Sequence, residues 1–246
     1  MKKDYIVTIP ARYKSSRLPG KPLKLINGKA MINHVWDLCT KAVGKQNVVV
    51  LTDDIRIKIH CLKHNISFFM TSKSCKTGTD RIFQFAKQNI YNYYINVQGD
   101  EPLLSPSSIK KVLNFTKKMK CSTNCYLECT DIDYKNINIP KVVINNNKDL
   151  LYMSRAPIPS SKIKDSQIIA NKQICIYGFT YNDLIKFGKT KFKTRNEIFE
   201  DIEILRFLDI GIKIKMLKLK HSSMAIDTLE DLKKVRKIFE NKFKKN

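Results

Sequence analysis

Tyr5-Ile6-Val7-Thr8-Ile9, running without a break into Pro10-Ala11-Arg12-Tyr13-Lys14-Ser15-Ser16-Arg17-Leu18-Pro19-Gly20-Lys21-Pro22-Leu23, decides the fold. The first five residues form an almost wholly apolar, β-branched run, the pattern of a strand buried on both faces. A basic, glycine-punctuated loop follows. Arg12, Lys14, Arg17 and Lys21 fall within ten residues of the strand's carboxyl end, where open α/β sheets place their ligands. Such a loop suits a polyphosphate. It is not a Walker A loop, because Gly20-Lys21 is followed by Pro22 and no glycine stands five residues before Gly20. No Gly-x-Gly-x-x-Gly fingerprint occurs either, so side chains more than a backbone nest must meet phosphate charge. Taken alone, the loop also reads as a solvated Lys/Arg surface segment.

Outward from the loop, Val48-Val49-Val50-Leu51 and Tyr94-Ile95-Asn96-Val97 read as further buried parallel strands alternating with helices. Asn27-Gly28 marks a turn, and Met31, Ile32, Val35, Trp36, Leu38, Cys39 and Ala42 then follow the period of a core helix. The strand from Val48 ends at Thr52-Asp53-Asp54, and the next helix carries Ile57, Cys61 and Leu62. Thr52 and Asp53 either cap that helix or border the crevice. Thr77-Gly78-Thr79-Asp80-Arg81 opens a helix whose first N–H groups suit an anion or a base edge. The alternative for Thr79 is capping alone, and for Arg81 a surface ion pair. Asp100 follows a buried strand, where a carboxylate is costly unless neutralised. Mg2+ is its natural partner, since a hard cation on one or two carboxylates bridges phosphate oxygens in phosphoryl and nucleotidyl transfer. Glu101 is expected to point the other way. Asp227 stands before a helix that Thr228 and Asp231 cap as a Thr-x-x-Asp box, and by itself reads as a solvated loop carboxylate without capping duty.

With 246 residues and 43% hydrophobic content, the chain can bury one substantial core. Its formal charge of +24 invites a nucleic-acid reading, yet the lysines are scattered and no RNP pattern, zinc-finger spacing or basic-region heptad occurs. Nucleic-acid binding is therefore not expected as the main function, and the positive field is read as steering anionic substrates inward. No apolar run approaches the roughly twenty residues of a membrane span, and the first apolar run is too short for a signal peptide's core. A cytoplasmic location is expected. Cys121, Cys125 and Cys129 recur every fourth residue, as residues sharing one face of an extended segment do. With no Cys-x-x-Cys pair nearby they read as small buried hydrophobes rather than zinc ligands. His34, His60, His64 and His221 show no metal-binding spacing.

Pro10-Ala11-Arg12-Tyr13, Arg17-Leu18-Pro19-Gly20-Lys21-Pro22-Leu23 and Asn96-Val97-Gln98-Gly99-Asp100-Glu101-Pro102 together resemble the 3-deoxy-manno-octulosonate (Kdo) cytidylyltransferases. Thr77-Gly78-Thr79-Asp80-Arg81, Tyr152-Met153-Ser154-Arg155-Ala156, Ile176-Tyr177-Gly178 and Asp227-Thr228-Leu229-Glu230-Asp231-Leu232 extend the resemblance over nearly the whole chain, in the family's order. It implies a single domain, 1–246, with a Rossmann-like three-layer α/β/α nucleotide-diphosphosugar transferase fold and a mostly parallel central sheet. A small subregion, about 125–196, would serve dimerisation and sugar binding. The implied activity is transfer of CMP from CTP to the anomeric C2 hydroxyl of Kdo, giving CMP-Kdo and pyrophosphate for lipopolysaccharide or capsule synthesis. Mg2+ is the implied cofactor and a homodimer the implied assembly. On this resemblance Arg12, Lys21, Asp100 and Asp227 are catalytic, and Asp100 and Asp227 hold the metal. Ala11, Arg17, Thr79, Arg81 and Gln98 border the substrates, Gly99 leaves room for close ligand approach, and Arg155 meets the sugar carboxylate with Tyr177 and Glu203 nearby.

Departures from the family fall in the part that faces the sugar. Where the family commonly reads Arg-His-x-Gly-Ile-Tyr, this chain has Lys172-Gln173-Ile174-Cys175-Ile176-Tyr177, and Leu-Glu-Gln-Leu-Arg becomes Ile202-Glu203-Ile204-Leu205-Arg206. A Gly-Thr-Gly type of stretch becomes Ser222-Ser223-Met224-Ala225. Losing a donor in a buried polar site shifts preference between sugars. The alternatives are therefore 8-amino-Kdo or a nonulosonate such as an acylneuraminate. A non-catalytic protein that binds CTP or a sugar nucleotide is a second alternative. Against it stand Arg12, Lys21, Asp100 and Asp227, charges that are costly to bury without a metal.

Overall fold

The structure, a computed structural model, describes residues 3–163, 168–220 and 223–243, the side chains of 242 and 243 excepted. His221 and Ser222 of the sequence reading lie outside the described residues. The chain divides into two compact units, Met1–Lys111 with Ser223–Asn246, and Val112–Ser222.

In the first unit β1 (Lys3–Pro10) leads to a short ladder of β2 (Leu25–Ile26) and β3 (Lys29–Ala30), then α1 (Met31–Val43) and β4 (Val48–Thr52). α2 (Ile55–Lys63), β5 (Phe68–Met70), α3 (Gly78–Ala86), β6 (Tyr91–Val97) and α4 (Pro106–Met119) follow, the boundary between units falling inside α4. The strands pair β6-β1-β4-β5, every pairing parallel. β4 is buried throughout and β1 from Ile6 onward, as a parallel sheet covered on both faces requires. α1 buries the stripe Met31, Ile32, Val35, Trp36, Cys39 and Ala42, an i, i+3, i+4 face; Leu38 is half-buried. α2 buries Ile57 and Cys61, whereas Leu62, expected beside them, is exposed. One residue past Cys61 the helix has turned by about 100°, off the buried stripe. Its cap is Asp54, which accepts from the Arg56 N–H, and not Thr52 or Asp53.

The second unit contains β7 (Thr123–Glu128), α5 (Asp131–Lys135), β8 (Lys141–Ile144), β9 (Leu150–Ser154), β10 (Asn171–Thr180), α6 (Tyr181–Lys189), α7 (Arg195–Glu200), α8 (Leu205–Asp209) and β11 (Lys215–Lys218). β10 runs antiparallel to β7 and β8, β8 antiparallel to β9, and β11 parallel to β7. Stacked Phe179, Phe187 and Phe207 form its aromatic core. Only Cys125 of the three periodic cysteines lies within β7, so they do not share one strand face. The α/β class is the expected one, with the purely parallel pairing confined to the first unit. The chain then returns to that unit through α9 (Leu229–Phe243), where Ile226, Leu232 and Val235 pack with Leu18, Ile26 and Met31. No helix among the described residues is long and apolar enough to cross a membrane.

Candidate active site

The loop after β1 is held in shape by its own backbone. Ala11, buried, donates its N–H to the Leu51 carbonyl, Gly20 N–H reaches back to Tyr13 O at 3.0 Å, and Lys21 N–H to Leu18 O at 3.1 Å. Gly20 sits at φ +68°, and a Cβ there would meet the Tyr13 ring at 3.0 Å. Only glycine combines this left-handed backbone with so close a ring. Lys21 then opens a 3-10 turn, Lys21–Leu23, with Pro22 as its second residue. Leu18 anchors the loop in the apolar cluster that also holds Ile226, and the Ile226 N–H donates to the Asp100 carbonyl at 3.0 Å. Three distant segments, 17–21, 98–101 and 224–227, are thereby brought together at the carboxyl end of β6.

At their meeting point the Lys21 ammonium donates to Oδ2 of Asp100 at 2.6 Å and to Oδ1 of Asp227 at 3.0 Å. Arg17 approaches that same Asp227 oxygen at 3.2 Å. Burial alone would lower the Lys21 pKa; the two carboxylates outweigh it and raise it. Glu101 neighbours this cluster in sequence but makes no ion pair with Lys21 among those described. It is buried, and burial first, then Asp100 and Asp227, push its carboxyl up to about 7 against the opposing pull of Ser223 and Lys21. Its Oε2 has no hydrogen-bond partner. Thr228 and Asp231 do form the expected box, with Asp231 Oδ2 accepting from Thr228 N–H and Asp231 N–H donating to Thr228 Oγ1. Asp231 Oδ2 also accepts the Asp227 N–H, which leaves the Asp227 carboxylate for Lys21 and Arg17.

Two oxygen-bearing carboxylates aimed at one cation fit a hard divalent ion such as Mg2+, which takes one or two carboxylates and completes its shell with water and phosphate oxygens. No group of three or more potential metal-binding side chains occurs among the described residues, so Asp100 and Asp227 are the donors available to it.

The remaining candidates are placed less uniformly. Arg12 is exposed on the loop and Gln98 is half-buried just past β6. At Gly99 a Cβ would meet the Pro10 carbonyl oxygen at 2.9 Å, so the chain itself requires glycine there. Thr79 is fully buried and is not the cap of α3; Thr77 and Asp80 form that capping box. Arg81 makes no surface ion pair. It is buried, with Asp53 at 3.1 Å, Thr71 Oγ1 at 2.6 Å and the Ser72 carbonyl at 3.4 Å, and so braces the ends of β4 and β5.

In the second unit the Arg155 guanidinium donates to four backbone carbonyls, those of Glu200, Ile137, Asn138 and Asp201. The Arg155 backbone N–H and the Ser154 hydroxyl donate to the Glu200 carboxylate. The guanidinium therefore fastens loops here. Lys141, fully buried, does the same for the carbonyls of Asn136, Ile139 and Arg155. Tyr177 and Gln173 are buried together, the Gln173 amide donating to both Tyr177 Oη and Asn124 Oδ1 at 3.1 Å. Glu203 is half-buried and Ile204 wholly buried, which makes the latter a packing residue. The sequence reading missed the burial of Glu101, Lys141 and the Glu197–Arg206 pair, a buried two-pronged ion pair at 2.6 Å. Only Glu197 left a trace, as the N3 residue of the Thr194 capping box.

A cytidylyltransferase family model matches residues 6–242. The chain is 36% identical over 244 residues to a protein of Elusimicrobium minutum named 3-deoxy-manno-octulosonate cytidylyltransferase, an alignment covering 97% of this chain and 99% of that one. It is 38% identical over 232 residues to a Shewanella halifaxensis protein named 8-amino-3,8-dideoxy-manno-octulosonate cytidylyltransferase, over 92% of this chain and 94% of the other. Among solved structures, a CMP:2-keto-3-deoxy-manno-octonic acid synthetase complexed with CTP superimposes with a TM-score of 0.90 at 30% identity, covering 98% of this chain and 100% of that one. Sequence along almost the full length and fold agree, and the chain belongs to the cytidylyltransferase family.

Proposed function

We propose that this protein transfers CMP from CTP to the anomeric C2 hydroxyl of Kdo, releasing pyrophosphate and supplying CMP-Kdo for lipopolysaccharide or capsule synthesis. The observation that carries the reading is the meeting of Asp100, Asp227, Lys21 and Arg17 beyond a parallel sheet, where such sheets bind ligands. Arg12, Arg17 and Lys21 offset the charge that grows on the departing pyrophosphate, an effect strongest when the donors are held in place beforehand. The 3-10 turn and the Gly20–Tyr13 packing hold the Lys21 backbone for that duty. Asp100 and Asp227 would hold Mg2+, which when bound neutralises phosphate oxygens and acidifies the attacking hydroxyl. No covalent enzyme intermediate is needed, and the rate comes from orientation and charge.

The test is pyrophosphate release from CTP and Mg2+ with Kdo, 8-amino-Kdo and N-acetylneuraminate supplied separately. Release with Kdo is expected, and release with none of the three overturns the reading. A second reading, 8-amino-Kdo as the sugar, draws on the Shewanella halifaxensis relative and predicts release with that sugar alone. Replacing Asp100 by Asn should lower kcat by roughly 100- to 1,000-fold while far-UV circular dichroism stays unchanged; undiminished turnover at saturating Mg2+ removes Asp100 from the mechanism.

We also propose that the protein is a homodimer acting in the cytoplasm, where a nucleoside triphosphate is at hand. Ile132, Ile137, Leu151, Ile163, Ile169 and Phe192 are each more than half exposed, and all belong to the second unit, where the dimerisation subregion was expected. These are the apolar side chains that such an interface would cover. A monomer mass by light scattering at micromolar concentration would remove the dimer.

A further inference from the structure

Lys21 occupies a particular place between the two acidic residues. Its ammonium is within hydrogen-bond distance of both Asp100 and Asp227, and its side chain is 15% exposed. With Arg17 counted, two cations already balance two carboxylates. A divalent ion seeking the same oxygens would add two positive charges beside an ammonium that already stands 2.6 Å and 3.0 Å from them. In a partly buried site such like-charge proximity is strongly opposed. A nucleoside triphosphate removes the opposition, because its phosphates carry the compensating charge and offer the ammonium another partner.

We propose that Lys21 and the divalent cation exchange at Asp100 and Asp227: Lys21 holds the carboxylate pair until metal arrives with nucleotide, then releases it and turns to the triphosphate. The proposal rests on the metal reading given above and adds that the bare metal binds weakly because Lys21 competes with it. The loop is built so that the side chain alone need move. Lys21 N–H is fixed to Leu18 O and the Lys24 N–H to Lys21 O, and Leu18 is sunk in the apolar cluster. Metal and nucleotide then raise each other's affinity, and linkage makes that coupling reciprocal.

The probe is Mn2+, its free concentration read by electron paramagnetic resonance, with the full-length wild type and Lys21→Met, each with and without CTP. Lys21→Met is expected to bind Mn2+ alone about tenfold more tightly than the wild type, within the usual span of such couplings. CTP should also improve Mn2+ binding by a smaller factor in the variant. Equal or weaker Mn2+ binding by a variant with a native circular dichroism spectrum overturns the exchange and leaves the metal reading standing. No Mn2+ binding to the wild type even with CTP overturns both. One measurement needs no variant: acetylation of Lys21 in the wild type, followed by peptide mass, should accelerate severalfold at saturating Mn2+ without nucleotide. An unchanged rate overturns the exchange.

Discussion

A methyl group added at Gly99 would stand 2.9 Å from the Pro10 carbonyl oxygen and 3.6 Å from Ile32. The first of these neighbours is backbone at the end of β1, which cannot swing aside. Gly99→Ala should therefore destabilise the protein by about 1–3 kcal/mol, the range of an overpacked interior, in denaturant unfolding; an unshifted midpoint would show that the strand end yields. The resemblance assigned Gly99 to ligand approach; its packing duty against Pro10 was not legible, because a neighbour about ninety residues away leaves no mark in the local pattern. The burial of Glu101 was not legible for a related reason: alternation of side chains holds within a strand, but β6 ends at Val97 and Glu101 sits in the turn that follows, its N–H on the Gln98 carbonyl. Asp100 stood out as a carboxylate following a buried strand, whereas Lys21 and Asp227 were singled out by the family resemblance.

At the scale of elements, capping was read most faithfully where both partners stand close in sequence, as in Thr228 and Asp231. The duties of Arg81 and Arg155 were hidden because most of their partners are distant, among them Asp53 and the carbonyls of Glu200 and Asp201. α5 and β10 offer a test of one such tie. Lys172 donates to Asp133 at 2.6 Å, with both side chains largely buried. Burial alone would raise the Asp133 carboxyl; Lys172 and Thr130 outweigh it and hold the group below its ordinary value. A carboxyl depressed in the folded state contributes stability above its unfolded pKa and loses it as pH falls through the folded one. The stability difference between wild type and Asp133→Asn should be full at neutral pH and close below about pH 4. A difference that persists unchanged to pH 2 would assign it to packing instead.

For the molecule as a whole, the charge of +24 predicts that kcat/KM for CTP falls as salt rises past roughly 0.1 M, where screening shortens to about 10 Å, while kcat holds steady. A salt-independent kcat/KM would deny any steering by the field. The α/β class was legible from buried strands alternating with helices. The second unit, Val112–Ser222, was anticipated only through the resemblance, as a narrower subregion of about 125–196. The division into two units bears on how the chain is made. The first unit is interrupted by 111 residues, Val112 to Ser222, so Leu18, Ile26 and Met31 leave the ribosome long before Ile226, Leu232 and Val235, with which they pack. At about 5–20 residues per second of synthesis, those side chains wait roughly 10–40 s for their partners. The unit begun first on the ribosome is thus completed last, and its half-built apolar face is what a nascent-chain chaperone would meet.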